Sequence, residues 1–538
     1  MNLSDILLPA SADAARQSTV RDAVFDVMRA FGATTIFGNP GSTELPMFRD
    51  FPADFQYVLG LQEAVVVGMA DGYAQVSGKV AFLNLHSAAG VGNAMGNLHT
   101  AFKNRSPLVI IAGQQARSIL PFDPYLASEE ATELPKPYVK WSIEPGRAED
   151  VPQAIATACY RALQAPCGPV LVSVPSDDWD RFASRPAQRT VSRSNRPDPT
   201  VLAEVAAALD ACERPAFVVG AEVDRDGAWD DMVGLAEAHG AAVFNAPMSA
   251  RAGFPEDHPQ FMGFLPAVRA QIVQKLAGYD LVFVIGAPLF TYHVEGEGPH
   301  VPPQASVYHL TEDANAAARA PLGVAVVGGL GLSLRDLLAT SQPPRRTLPA
   351  LRPPVPLAEA SDPMTQAYVL QTLAGLRGPD DIVVEEAPTA RIHMQAYLPM
   401  VRPRSFFTMA SGGLGYGMPA AAGIAMALPG RKVIGLIGDG SSMYAIQTLW
   451  TAVQFNLNVT YLVLNNRKYG AMKRFGGVLG FPAGAHLPGT DLPGLDFVAL
   501  AQGHGCPAER VDQPGDLAAA LADALGHAGP RLVEVIVA

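Results

Sequence analysis

The chain has 538 residues, too many for a single core, and 49% of them are hydrophobic against 17% charged. Such a chain buries several cores and has no room for long disordered stretches. The formal charge of -12 comes without a long basic run, which argues against a nucleic-acid partner; no apolar run is long enough to cross a membrane.

The first 18 residues carry no basic or strongly apolar signal and are expected to be a mobile leader on a cytoplasmic protein. From Thr19 the chain alternates short apolar runs with helical patterns. Phe55–Leu59, Val80–Leu85 and Leu108–Ala112 read as strands, and a helix is expected from about Glu63 through Ala74. A basic, Pro/Ser-bearing run, Arg181–Pro199, reads as a linker. In the second block Ala216–Gly220 and Leu281–Gly286 read as strands. Val326-Val327-Gly328-Gly329-Leu330-Gly331 hints at a dinucleotide turn. No acidic residue follows at a ribose-binding spacing, so a flavin or nicotinamide oxidoreductase is the weaker reading. The proline-dense run Ser341–Pro356 forms a second linker. The expected domains are 19–190, 191–345 and 346–538. Continuous apolar strands alternating with helices imply an α/β fold of three doubly wound domains with parallel sheets. Four scattered cysteines form no CxxC pair and read as reduced, buried thiols.

The third block carries the most specific signal. The strand Val433–Ile437 runs into Gly438-Asp439-Gly440-Ser441, a helical pattern continues to about Phe455, and the strand Val459–Leu464 runs into Asn465-Asn466. Asp439, Asn466 and the carbonyl of Lys468 are hard oxygen donors suited to Mg²⁺. Gly438 and Gly440 would let the backbone approach a diphosphate, and the helix start near Ser441 would offer free N–H groups.

This arrangement resembles the thiamine diphosphate signature. Glu63 through Ala74 is similar to the same family's segment that meets the aminopyrimidine ring, with Glu63 as the proton-sharing carboxyl. Gly412-Gly413-Leu414-Gly415 is similar to the segment that supplies a carbonyl (Gly412) and an aliphatic wedge (Leu414) to the bent cofactor. Gly38–Pro46, Leu85–Gly90 and Pro288–His293 narrow the resemblance to the benzoylformate decarboxylases, over nearly the whole chain from Thr19. The resemblance implies thiamine diphosphate and Mg²⁺ as cofactors and non-oxidative decarboxylation of an aryl 2-oxo acid to an aldehyde and CO₂. Carboligase side activity, or an acetolactate synthase-like reaction, is the alternative on the same cofactor. It also implies Ser42 on the substrate carboxylate, His86 in proton transfer around the adduct, and His293 in protonation of the enamine or in aldehyde release. A homotetramer with active sites at dimer interfaces is expected. The substrate pocket is expected to include Ser42, Thr408, Ala471, Met472 and Phe475. Three departures stand out: Ala387-Pro388-Thr389-Ala390-Arg391 replaces a Ser/Thr-rich stretch, Thr408 replaces a phenylalanine, and the segment after Phe475 is glycine-rich (Gly476, Gly477, Gly480) and a few residues longer before Gly489-Thr490-Asp491. They concern the substrate's side chain rather than the decarboxylation chemistry.

Overall fold

The computed structural model describes residues 18–342, 344 and 346–538. The expected leader lies outside the described residues up to position 17, as do Pro343 and position 345 of the second linker. Residue 18 is not leader: Ser18–Thr19 pairs antiparallel with Phe182–Ala183, so the first linker begins as a short strand.

Three six-stranded parallel sheets follow. In the first, the spatial order is Gln56–Leu59, Thr35–Asn39, Ala81–Leu85, Leu108–Gln114, Val170–Pro175 and Ser142–Ile143. In the third it is Phe406–Thr408, Ile382–Glu386, Val433–Gly438, Val459–Asn465, Arg531–Ile536 and Ala508–Val511. Numbered along each domain, both sheets read 2-1-3-4-6-5. The middle sheet reads 3-2-1-4-5-6, from Phe261–Phe264 to Val324–Val327. Strands such as Leu83, Ile110, Val384 and Ile437 are buried on both faces, which explains their near-continuous apolar character. In such sheets the crevice for a ligand opens where the order reverses, at the carboxyl ends of the strands. That crevice lies between Thr35–Asn39 and Ala81–Leu85 in the first domain. In the third it lies between Ile382–Glu386 and Val433–Gly438.

One hydrophobic core is common to the first and third domains. The helix Glu63–Ser77 packs against the helix Gly417–Ala427 so closely that small residues are obligatory. A Cβ on Gly423 would sit 1.9 Å from the Met69 carbonyl, and one on Gly72 would sit 2.3 Å from that of Ala420. Asp71, fully buried on the same helix, accepts hydrogen bonds from Gln75, Asn104 and Ser106. Asn104 in turn accepts the Ala410 N–H, which ties the two domains together.

The helix expected from Ser441 to Phe455 is broken. It forms as Asp439–Ser442 and Thr448–Gln454, and the turns between them close through i,i+3 bonds such as Tyr444 N–H to Ser441 O. The Ser442 hydroxyl donates to the Asp439 carbonyl, a local bond that competes with continued α-helix. Of the cysteines, Cys159 and Cys506 are buried, whereas Cys167 and Cys212 are only half-buried; all four are free thiols. No helix among the described residues is long and apolar enough to cross a membrane.

The glycine turn of the middle domain is engaged within the protein. Gly331 N–H donates to Asp226 Oδ2 at 2.8 Å, Gly329 N–H to the Asn195 carbonyl at 3.0 Å, and a Cβ on Gly328 would meet Pro197 at 2.8 Å. A carboxylate and the first linker thus hold the N–H groups that a dinucleotide phosphate would need.

Candidate active site

The carboxyl end of Val433–Gly438 delivers Asp439 as the first residue of its short helix. The carboxylate is 4% exposed and accepts N–H bonds from Gly440 at 2.8 Å and Lys468 at 3.2 Å. No Lys, Arg or His pairs with it among the described residues. Burial raises its pKa, while the surrounding backbone N–H groups pull it back down. A buried carboxylate with only dipolar partners is a poor resting arrangement and a good cation ligand. Among the described residues no three His, Cys, Asp or Glu side chains cluster in metal-binding geometry. The local donors are therefore one carboxylate, the Asn466 amide oxygen and the Lys468 carbonyl. That set suits Mg²⁺ completed by phosphate oxygens and water.

The two asparagines have different roles. Asn465 is buried, donates to Glu534 Oε1 at 2.6 Å and accepts the Arg467 N–H at 3.0 Å, so it shapes the loop. The Asn466 amide oxygen accepts the Lys468 N–H at 3.2 Å and is half-buried toward the Asp439 side. Arg467 sits at φ 57°, a left-handed conformation unusual for a non-glycine, which turns the chain back so that Lys468 N–H reaches Asp439. The Lys468 carbonyl accepts Gly470 N–H at 2.9 Å and keeps its second lone pair. The structure gives a second reason for glycine at position 440. A Cβ there would lie 2.3 Å from the Tyr469 ring, so glycine admits the tyrosine.

The segment Gly412–Leu414 is held by Glu386. This fully buried carboxylate accepts the Gly415 N–H at 2.6 Å and the Gly417 N–H. From the first domain, Asn97 donates to the Gly415 carbonyl at 2.9 Å. Gly412 and Gly415 adopt φ of 77° and 100°, so a side chain at either would be strained. Burial pushes the Glu386 carboxyl up to about 7, from its ordinary value of 4.5. The folded state therefore keeps a proton that the unfolded chain releases, and stability falls as pH rises from about 4.5 to about 7. Glu386→Gln, which cannot ionise, should flatten that fall by at most roughly 3 kcal/mol, as read from urea unfolding at pH 5 and pH 8.

In the first domain His86 caps the helix Ser87–Asn104. Its Nδ1 lies 2.9 Å from Glu44 Oε2 and 3.0 Å from Thr43 Oγ1. Glu44 is buried and also accepts from Gly41 N–H at 2.7 Å and the Thr43 hydroxyl at 2.8 Å. With Thr43 donating to Glu44, the network assigns the imidazole proton to Nδ1 and leaves Nε2 as the free acceptor. Packing makes this geometry rigid: a Cβ on Gly41 would meet the His86 ring at 2.3 Å, and one on Gly113 would meet Glu44 at 1.8 Å. Ser87, buried at φ 46° with an unpartnered hydroxyl, turns the chain directly after His86. Ser42 is exposed beside this pair. Glu63 opens its helix half-buried, with Asn93 Nδ2 donating to its Oε2 at 3.2 Å.

His293 lies on the irregular segment after Leu281–Ile285 and stacks on Phe475, with centroids 4.8 Å apart and planes at 25°. Ala471, Met472 and Phe475 share the helix Gly470–Val478, with Ala471 and Phe475 one turn apart. Thr408 is buried and hydrogen-bonded to Glu385 and Arg391. Of the predicted residues, Ser42, Glu63 and His86 belong to the first domain, Asp439, Asn466 and Lys468 meet at the strand ends of the third, and His293 of the middle domain meets Phe475. No hydrogen bond joins the groups among the described residues. Glu44 and Glu386 were not singled out from the sequence, and Arg391 entered only as the end of the departing stretch Ala387–Arg391. The only hint of Glu44 was an acidic residue in the loop that carries Ser42.

The chain matches the models of three domains described as Thiamine pyrophosphate enzyme: the N-terminal TPP binding domain at 18–132, the central domain at 202–337 and the C-terminal TPP binding domain at 389–535. It is 44% identical to benzoylformate decarboxylase of Pseudomonas aeruginosa, covering 96% of this chain and 98% of that protein. It is 28% identical to the acetolactate synthase isozyme 3 large subunit of Escherichia coli, covering 92% and 90%. Among solved structures it is similar to the thiamine diphosphate-dependent 4-hydroxybenzoylformate decarboxylase of Rhodococcus jostii RHA1, with a TM-score of 0.93, 40% identity, and coverage of 97% of this chain and 99% of that one.

Proposed function

Because the chain belongs to the thiamine pyrophosphate enzyme family, we propose that it is a thiamine diphosphate- and Mg²⁺-dependent decarboxylase that converts an aryl 2-oxo acid to an aldehyde and CO₂. The substrate class rests on chain-long likeness to benzoylformate decarboxylase, against a more distant likeness to acetolactate synthase. The observation that carries the reaction is the His86–Glu44 pair, with Nε2 left free at the mouth of the first domain's crevice.

Asp439, Asn466 and the Lys468 carbonyl would hold Mg²⁺ and through it the diphosphate, and Leu414, with Glu386 behind it, would keep the cofactor bent. Glu63 would share a proton with the aminopyrimidine ring. When bound, the cofactor supplies the carbon nucleophile and the electron sink that decarboxylation needs. Ser42 hydrogen-bonds the substrate carboxylate. His86 takes or returns a proton at Nε2, and Glu44 stabilises the imidazolium that forms. His293, its ring fixed on Phe475, delivers the proton that precedes aldehyde release. A carboligase side activity belongs to the same proposal.

A cytoplasmic homotetramer is also proposed, with each site built from the first domain of one copy and the third domain of another. The exposed Leu45, Leu61 and Tyr125 on the first domain, and Tyr444, Leu479 and Phe481 on the third, support association through these faces.

Carbon dioxide release from benzoylformate, measured with and without thiamine diphosphate and Mg²⁺, tests the activity. Cofactor-dependent release is expected. No release from any aryl or branched 2-oxo acid would sink the proposal.

A further inference from the structure

Arg391 closes the stretch Ala387–Arg391 that departs from the benzoylformate decarboxylase pattern, Thr408 is a second departure, and the structure joins the two. Arg391 Nη2 donates to Thr408 Oγ1 at 2.8 Å and to Glu385 Oε2 at 2.5 Å; Nε donates to the same carboxylate oxygen at 3.0 Å. The Thr408 hydroxyl donates onward to Glu385 Oε2 at 2.9 Å, and Glu385 Oε1 takes the Ala387 N–H at 2.7 Å. Glu385 is fully buried, while the Arg391 side chain retains 18% of its exposure. Strand pairing explains the meeting: Glu385 and Thr408 are register partners on adjacent parallel strands, so their side chains share a face. Arg391 enters that face from the start of the next helix. The carbonyls of Pro388 and Thr389 in the intervening loop are held by Arg474, the neighbour of Phe475.

The guanidinium is thus fixed on one side and open on the other. Among the described residues Nη1 has no hydrogen-bond acceptor, so two N–H groups remain for something else. We infer that Arg391 is a specificity residue whose Nη1 binds an oxygen substituent on the aromatic ring of the substrate, at the end remote from the 2-oxo acid. The inference rests on the decarboxylase reading above and on the resemblance, which implies that Thr408 and Phe475 border the substrate ring. Glu385 neutralises Arg391, so the pair favours a neutral acceptor such as a phenolic or ether oxygen. A further carboxylate would bring a second negative charge beside Glu385 without a second cation. A bare ring would exclude water from Nη1 and leave its donors unpaired, and sites built around such donors discriminate strongly against ligands that lack the acceptor.

The test compares 4-hydroxybenzoylformate, benzoylformate and 4-methylbenzoylformate on the holoenzyme. It uses wild type and the double variant Glu385→Gln/Arg391→Gln, which removes both charges together. Wild type should favour the hydroxylated substrate in kcat/KM by about tenfold or more, corresponding to one well-made hydrogen bond to a charged group. The methyl compound, of similar size, should show no such preference. In the double variant the hydroxyl preference should fall to within about twofold. A wild-type ratio near one, or a ratio that survives in the double variant, overturns the inference. Equilibrium binding of 4-hydroxymandelate against mandelate reads the same recognition without turnover. If no 2-oxo acid is decarboxylated yet the mandelate ratio is high in wild type and lost in the variant, the decarboxylase reading fails and the recognition by Arg391 stands.

Discussion

Glu63→Gln should lower kcat by about 10³-fold, within the range that positioned acid–base groups contribute. The substitution keeps the shape and the acceptor for Asn93, whose Nδ2 lies 3.2 Å from Oε2. It removes only the ability to share a proton. The helix it opens should be undisturbed, because its first N–H groups are capped by the Gln62 side chain, which accepts from Ala64 N–H at 2.7 Å and Val65 N–H at 3.2 Å. Turnover and structure should therefore separate: circular dichroism unchanged, Mg²⁺-diphosphate binding weakened but measurable, CO₂ release nearly gone. Retention of more than a tenth of wild-type turnover would remove Glu63 from the aminopyrimidine role.

Asp439→Asn should have an effect as large on activity and opposite in sign on the stability of the cofactor-free protein. The carboxylate is buried, has no cationic partner among the described residues, and has its pKa raised by that burial. An amide accepts the Gly440 N–H through its oxygen but turns its NH₂ toward the Lys468 N–H; that lost bond is set against the removal of a buried charge with no cationic partner. The variant's cofactor-free melting temperature should equal or exceed that of wild type. Wild type should gain about 2.7 kcal/mol of stability from thiamine diphosphate and Mg²⁺ supplied at a hundred times their dissociation constant. The variant should gain almost none, and its CO₂ release should fall below about 1% of wild type, as the one charged ligand of the three protein donors is neutralised. A variant that is still stabilised by the pair would place the metal elsewhere.

How far the site was legible depends on sequence distance. Asp439 and Asn466 end two strands joined by a single helical connection, so their proximity follows from one βαβ unit and its turn residues. Ser42, Glu63 and His86 were found by likeness, and their partners were not. Glu44, in the 3₁₀ helix Ser42–Phe48, and His86 are 42 positions apart and meet because the strands that precede them are neighbours at the reversal of strand order. Hydrophobic periodicity reports which face of an element is buried, not which strand lies beside it. Thr408 illustrates the cost. Read alone it was a missing ring in a pocket; paired with Glu385 and Arg391 it is part of a polar wall. The helix after Ser441 was drawn too long because helical spacing of apolar residues continues through Met443–Gln447, where local serine bonds and i,i+3 turns prevail.

The sequence by itself determined the three parallel α/β domains, through runs of apolar strands with helices between them, and the cofactor class, through the diphosphate motif, because both are written in local order and spacing. Only the tertiary structure decided that the first and third domains have one core, that Gly440 serves Tyr469, and that Glu386 holds the Leu414 segment. It also decided the tautomer of His86 and the open donors of Arg391. These depend on which backbones approach within a few ångströms and on which lone pairs are already taken, and neither is specified until strand order and register bring distant segments together.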